Sequence, residues 1–220
     1  MGSPDDAPVR KYMDDPDIEW KVGKPDYTAV NAKYMKEKLN KHKADSVEKL
    51  VENLVKTWEM ESSHKGNPKD WNTVVKEKFT ISANGGFVGT LKDNIEIGNY
   101  NILMKDSPLY DPSITWDQSH DMFRQAFPAG FPWELIELHS GPPTVSFTWR
   151  HWAHWEGPFL GVEPTGELME MYGSCIAKTS PEGKLEKLEI YFDPNQVLAK
   201  MMKFNVRDVP NCPYAKLRNC

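Results

Sequence analysis

Val145-Ser-Phe-Thr-Trp-Arg-His-Trp-Ala-His-Trp155 alternates with a period of two. Successive side chains of a strand point to opposite faces. Val145, Phe147, Trp149, His151, Ala153 and Trp155 therefore share one face, and Ser146, Thr148, Arg150, Trp152, His154 and Glu156 the other. The first set is aromatic and apolar and must be covered, so it is read as the inward face of an antiparallel sheet. That register places His151 among three aromatic rings.

Outward from this strand, 133–139 precedes it across Ser140-Gly-Pro-Pro143, and 167–178 and 185–192 form a second pair across Ser180-Pro-Glu-Gly183. Four consecutive strands with turn signals between them make an antiparallel meander. Everything ahead of them reads mainly as helix. Tyr27, Val30, Tyr34 and Leu39 fall near one face of a helix over 27–39. Asp45 and Glu48 read as a capping box for a second helix, with Val47, Leu50, Val51, Leu54, Val55 and Trp58 at helical spacing. Continuing by three from Trp58 reaches Glu61, a carboxylate where an apolar residue is expected. A β-like run at 79–83 ends at Asn84-Gly-Gly86, and 91–104 and 118–127 read as further helices, the latter stopped by Pro128. Asp193-Pro194-Asn195-Gln196 opens a last helix, with Val197, Leu198, Met201 and Met202 facing inward. Helices first and sequential strands last indicate one α+β domain, its helices on one face of the sheet.

Residues 1–26 carry Asp5, Asp6, Asp14, Asp15 and Asp17 among prolines and cannot form a core alone. They are read as an arm, mostly extended and draped over the domain by Tyr12 and Trp20. The domain proper is 27–204, and 205–220, with Pro210 and Pro213, is a tail.

An apolar share of 39% with 8 Trp, 9 Phe and 8 Tyr is ample for a packed interior, which excludes global disorder. The net charge of −5 without clustered Lys and Arg speaks against nucleic acid as a partner. No run approaches the roughly 20 apolar residues of a membrane helix, and the first thirty residues are polar and acidic, so no membrane association and a cytoplasmic location are expected. Cys175, Cys212 and Cys220 have neither disulfide-framework nor zinc spacing. His151 and His154 lie three apart on a strand and face opposite ways, no third ligand has a matching position, with His120-Asp121 and Glu156 only loose candidates, and no metal is expected. Phosphate-binding glycine loops, a nucleophile elbow and a Cys-His constellation are absent, so no cofactor is expected either.

Lys56-Thr-Trp-Glu-Met-Glu-Ser-Ser-His-Lys65, Ser119-His-Asp-Met-Phe-Arg124, Phe127-Pro-Ala-Gly-Phe131, Ser140-Gly-Pro-Pro143, Arg150-His-Trp-Ala-His-Trp-Glu-Gly-Pro-Phe159, Pro164-Thr-Gly-Glu167 and Tyr191-Phe-Asp-Pro194 resemble, in this order, motifs of the plant pathogen-related protein family and its fungal relatives. The likeness runs from about residue 20 to 202. That family is similar to SnoaL-like proteins of the nuclear transport factor two-like superfamily. The resemblance implies a curved antiparallel sheet packed by helices into a cone-shaped pocket, and relatives that include polyketide cyclases, isomerases and epoxide-opening enzymes. It supplies no catalytic residues.

Four residues are candidates for proton transfer. His151 is a desolvated imidazole or a buried His bonded to a neighbouring strand. Glu61 is a pocket carboxylate or a structurally paired one. His120, with Asp121 orienting it, is a proton-transfer group at a pocket mouth or part of a capped helix start. Trp58, Tyr100, Phe123, Trp133, Trp149, Trp155 and Tyr172 are the expected aromatic walls, suited to a flat hydrophobic small molecule. The expectation is a cofactor-independent enzyme of specialised metabolism (cyclase, isomerase, pericyclase or epoxide-opening) acting on a polyketide- or terpenoid-like substrate. The rival is a non-catalytic, defence-related ligand-binding protein. A homodimer is compatible with either.

Overall fold

The computed structural model describes residues 7–203. The tail, with Cys212 and Cys220, and the first residues of the arm lie outside them. Helices α1 (Thr28–Glu37) and α2 (Val47–His64) come first. Strands β1 (Thr80–Ala83) and β2 (Val88–Thr90) and helices α3 (Leu91–Ile97), α4 (Asn99–Leu103) and α5 (Trp116–Ala126) follow. Strands β3 (Trp133–Ser140), β4 (Thr144–His154), β5 (Leu168–Thr179) and β6 (Leu185–Phe192) and helix α6 (Asn195–Met201) complete the chain. The protein is an α+β domain with an unclosed, curved sheet and helices against it. Among the described residues no helix is long and apolar enough to cross a membrane.

The sheet order is β2-β1-β6-β5-β4-β3. The meander β3 to β6 is antiparallel throughout, and β1 joins its far edge parallel to β6. Register shifts between Leu135 and Glu137 and between Leu138 and Ser140 interrupt the β3–β4 ladder, and such irregularities bend a strand and sharpen its twist.

Sequence and structure differ at several element ends. Ser46, not Asp45, caps α2, its hydroxyl accepting from the Lys49 amide at 3.2 Å. Val47 and Leu50 are exposed, so the buried apolar stripe begins only at Val51. The single helix expected over 91–104 is two, broken at Gly98 with φ of 89°. A Cβ there would stand 2.8 Å from Trp116 Cδ1 and 3.2 Å from His120 Cε1, so the missing side chain is what lets α5 pack this closely. Helix α5 starts two residues earlier than its apolar pattern suggests, because Thr115 and Gln118 form its capping box. Met202 is only partly buried, whereas Val197, Leu198 and Met201 face inward.

The inward face of β4 is the odd-numbered one. Val145, Phe147, Trp149, Ala153 and Trp155 are all buried there. The other face is not simply solvated: Arg150 bonds Glu134 at 3.0 Å and Glu170 at 2.6 Å, and Trp152 Nε1 donates to Glu37 Oε2 at 2.8 Å. The C-terminal end of α1 covers it. Two apolar clusters fill the interior, one around Trp58, Trp133, Phe147 and Trp149, the other around Phe123, Trp155, Phe159 and α6.

Candidate active site

Between the inner face of the sheet and helices α1, α2, α4, α5 and α6 lies a cavity of about 550 Å³. Its walls are apolar and aromatic, and the predicted Trp58, Tyr100, Phe123, Trp133 and Trp149 all line it. Gly173 makes room for the Trp149 indole: a Cβ on it would lie 2.3 Å from Trp149 Cζ2 and 2.6 Å from the Tyr191 carbonyl. Cys175 is also in the lining. Burial pushes its thiol up to about 12, which leaves it a small apolar wall residue rather than a nucleophile.

His151 lines the cavity, as its register requires. Its ring lies 4.6 Å from Phe131 and edge-on to Trp149 at 5.9 Å. Nδ1 is 3.0 Å from the Pro132 carbonyl, an acceptor, so Nδ1 carries the proton of that bond. Nε2 stands 3.3 Å from Oε1 of Glu59. Burial alone favours a neutral Glu59, but the hydrogen bond and charge of His151, followed by Lys56 and Arg10, outweigh it and hold Glu59 below the usual carboxylate range. Both partners keep a minority of their surface open, 21% for His151 and 27% for Glu59, and both border the cavity.

The apolar pattern of α2 does not single out Glu59 when its row is continued by three from Trp58, because that row passes to Glu61. The signal lies in the other row. Val51 and Val55, also on the buried stripe, continue by four to Glu59, and residues four apart share a face.

The row that reaches Glu61 leads elsewhere. Glu61 is fully buried and does not line the cavity. It accepts from the Asn72 amide at 2.8 Å, the Thr73 amide at 3.1 Å, the Thr73 hydroxyl at 2.5 Å and Lys65 Nζ at 3.2 Å. Every lone pair is engaged in holding the segment after α2, which corrects the placement of this carboxylate in the pocket. Asp121 is corrected too: it is exposed and reaches Arg124 at 3.5 Å instead of His120. Trp155 is sealed in the second cluster with Nε1 donating to Gly157 at 2.6 Å, and Tyr172 is on the outer face, 55% exposed. Neither lines the cavity.

His120 does line it. The ring stacks on Trp116 at 3.7 Å, Tyr100 meets it edge-on at 5.0 Å, and Nδ1 donates to the Trp116 carbonyl at 2.8 Å. Burial, aided by the charges of Arg124, His64 and Lys21, pushes it down to about 3. It is a neutral packing element at physiological pH. His154 turns away from the cavity to the Gly166 carbonyl at 3.1 Å. Among the described residues no three of His, Cys, Asp and Glu converge as metal ligands would.

The cavity also has a wall from the arm. Val9 and Lys11 donate their amides to Asn53 and Thr57 of α2 at 3.0 and 3.3 Å. Lys65 Nζ donates to the Tyr12 carbonyl at 3.0 Å. This strap delivers Arg10 to the lining beside Tyr27. Tyr12 turns its ring outward, and Trp20 pairs with Lys65 in an isolated bridge.

Over 192 residues the chain is 33% identical to a pathogen-related protein of Hordeum vulgare, covering 83% of this chain and 82% of that one. No family model matches it. Among solved structures it is similar to a candidate polyketide cyclase from Acidithiobacillus ferrooxidans (16% identity, 74% of this chain and 100% of that one, TM-score 0.43). A candidate SnoaL-like polyketide cyclase from Jannaschia is similar at 13% identity (73% and 96% covered, TM-score 0.43). A protein of ketosteroid isomerase-like fold from Catenulispora acidiphila, solved with trimethylamine, is similar at 12% identity (71% and 97% covered, TM-score 0.41).

Proposed function

Because this chain belongs to the pathogen-related protein family, whose name states no reaction, we propose its function from the cavity: a small-molecule enzyme that moves protons on a flat, hydrophobic substrate, in a cyclisation or isomerisation. The observation that carries this reading is the Glu59–His151 pair, 3.3 Å apart at the edge of an apolar cavity of about 550 Å³.

The chemistry follows from the proton count. With Nδ1–H given to Pro132, Nε2 donates to the Glu59 carboxylate whenever the ring carries its second proton, so the two side chains together can hold one transferable proton. A carboxylate with an oxygen free beside a bound ligand takes a proton from an acidified C–H or O–H. The ring, when it carries its second proton, returns one to the oxygen on which charge develops. Aromatic walls fix the ligand in one folded conformation, which lowers the entropic part of the barrier. The low dielectric of the site strengthens both effects.

The test uses a panel of flat aromatic ketones with slowly exchanging α-hydrogens, 2-tetralone among them, incubated in D₂O and read by mass spectrometry. The wild-type protein is expected to accelerate deuterium incorporation into at least one member, and Glu59→Gln to abolish the acceleration. A panel in which nothing is accelerated, or acceleration that survives both Glu59→Gln and His151→Asn, overturns the reading. Ligand binding retained with no exchange in any variant favours a carrier.

A further inference from the structure

The rim of the cavity carries two guanidinium groups that the proposed proton transfer does not use. Arg10 lies over the Tyr27 ring at 3.7 Å and donates to Asn31 Oδ1 at 2.8 Å, while its Nε is buried with no partner. The His64 ring stands edge-on to the same Tyr27 ring at 6.1 Å. Arg124 of α5 donates to the carbonyl of the adjoining Ser63 at 3.1 Å, with 39% of its side chain open. Both arginines line the cavity, and both exert their charge on Tyr27.

Glu59 and Asp26 belong to the same lining, Glu52 and Asp121 stand outside it, and each has a partner of its own. Glu59 faces His151, and Asp26 accepts from the Thr28 amide and hydroxyl at 2.8 and 2.6 Å. Glu52 sits 3.5 Å from the third lining cation, Lys56. Asp121 reaches Arg124 only at 3.5 Å and in solvent, where an ion pair is weak. A chain of net charge −5 thus places three cations, Arg10, Lys56 and Arg124, against two carboxylates, Asp26 and Glu59, in the lining of an apolar cavity. A guanidinium is suited to this task because its planar fork grips an oxyanion through two donors. Burial keeps the Tyr27 phenol neutral, so it remains a donor to the same anion.

We propose that the natural ligand of this cavity is an anionic amphiphile: an apolar, flat body seated against Trp149 and Phe123, with a carboxylate or similar oxyanion held at the rim between Arg10 and Arg124. This rests on the cavity being a ligand site and adds the class of ligand. It also gives the arm a role, since Arg10 reaches the rim only because the arm is strapped to α2.

The experiment compares two fluorophores of one skeleton, 1-anilinonaphthalene-8-sulfonate and the uncharged N-phenyl-1-naphthylamine, titrated into the full chain. The sulfonate is expected to bind more tightly, to displace the neutral probe, and to lose about tenfold in affinity in Arg10→Gln and in Arg124→Gln, with the neutral probe unchanged. Equal affinities, no displacement, or equal losses for both probes overturn the proposal. So does a sulfonate preference that survives both substitutions. Arg124 is exposed, so its variant keeps the test valid should Arg10→Gln loosen the arm. Equilibrium binding needs no turnover, so this result and the fate of the Glu59–His151 pair are read separately.

Discussion

The two nitrogens of the His151 ring each face an acceptor, the Pro132 carbonyl at 3.0 Å and the Glu59 carboxylate at 3.3 Å. A neutral imidazole has one N–H, so this geometry is poised to take up one further proton between side chains that come from β4 and α2. The pair forms only when the helix packs against the sheet.

If these two groups act as a unit, Glu59→Gln and His151→Asn should each lower turnover about 10²- to 10⁴-fold. The double variant should be scarcely worse than either, because the effects of coupled residues do not multiply. Steady-state kinetics on a substrate from the exchange panel measures both. A double variant that multiplies the single losses refutes the pairing.

Acidification should destabilise the fold through His120. Its folded-state value is pushed down to about 3, against about 6.5 unfolded. The unfolded chain therefore binds the extra proton between these values, and the stabilisation is complete above about pH 6.5 and lost as pH falls toward 3. The slope is about 1.4 kcal/mol per pH unit for one proton. Thermal melts between pH 7 and 5 should show a smaller fall in His120→Phe, which keeps the stack on Trp116, than in the wild type. Parallel curves would show that His120 is not the group responsible.

Glu61 should matter to stability and not to chemistry. Glu61→Gln leaves the Lys65 ammonium fully buried without its carboxylate, a loss of about 3–5 kcal/mol for a broken buried pair. Urea unfolding should report it as a lowered midpoint. A change below about 1 kcal/mol would mean that the Tyr12 and Asp70 carbonyls suffice for Lys65.

Gly173→Ala should disturb the cavity wall directly. The added methyl meets both the Trp149 indole and the Tyr191 backbone, so the strain is about 1–3 kcal/mol or more, and the indole must move into the space for the ligand. Probe affinity and urea stability should fall together. Unchanged affinity would show that Trp149 is not part of the binding wall.

Sequence by itself determined the strand register and the broad order of the fold. A period of two needs only the backbone, so the inward face of Val145 to Trp155, and with it the orientation of His151, was legible without any partner. The helical stripe after Val51 was legible for the same reason. Element ends were less so, since Ser46 and Thr115 cap through hydrogen bonds that compete with equally plausible neighbours such as Asp45. Tertiary structure alone decided what the polar residues do. Glu59 and Glu61 are two positions apart on one helix, and their sequence context differs little. One faces the sheet and meets a histidine about ninety positions away, while the other faces the segment after its own helix and is consumed by its amides. Long-range polar partners leave no periodic trace, because a hydrogen bond depends on where two distant segments cross. The arginine from the arm is the extreme case: nothing periodic surrounds Arg10, and only the strap along α2 brings it to the rim.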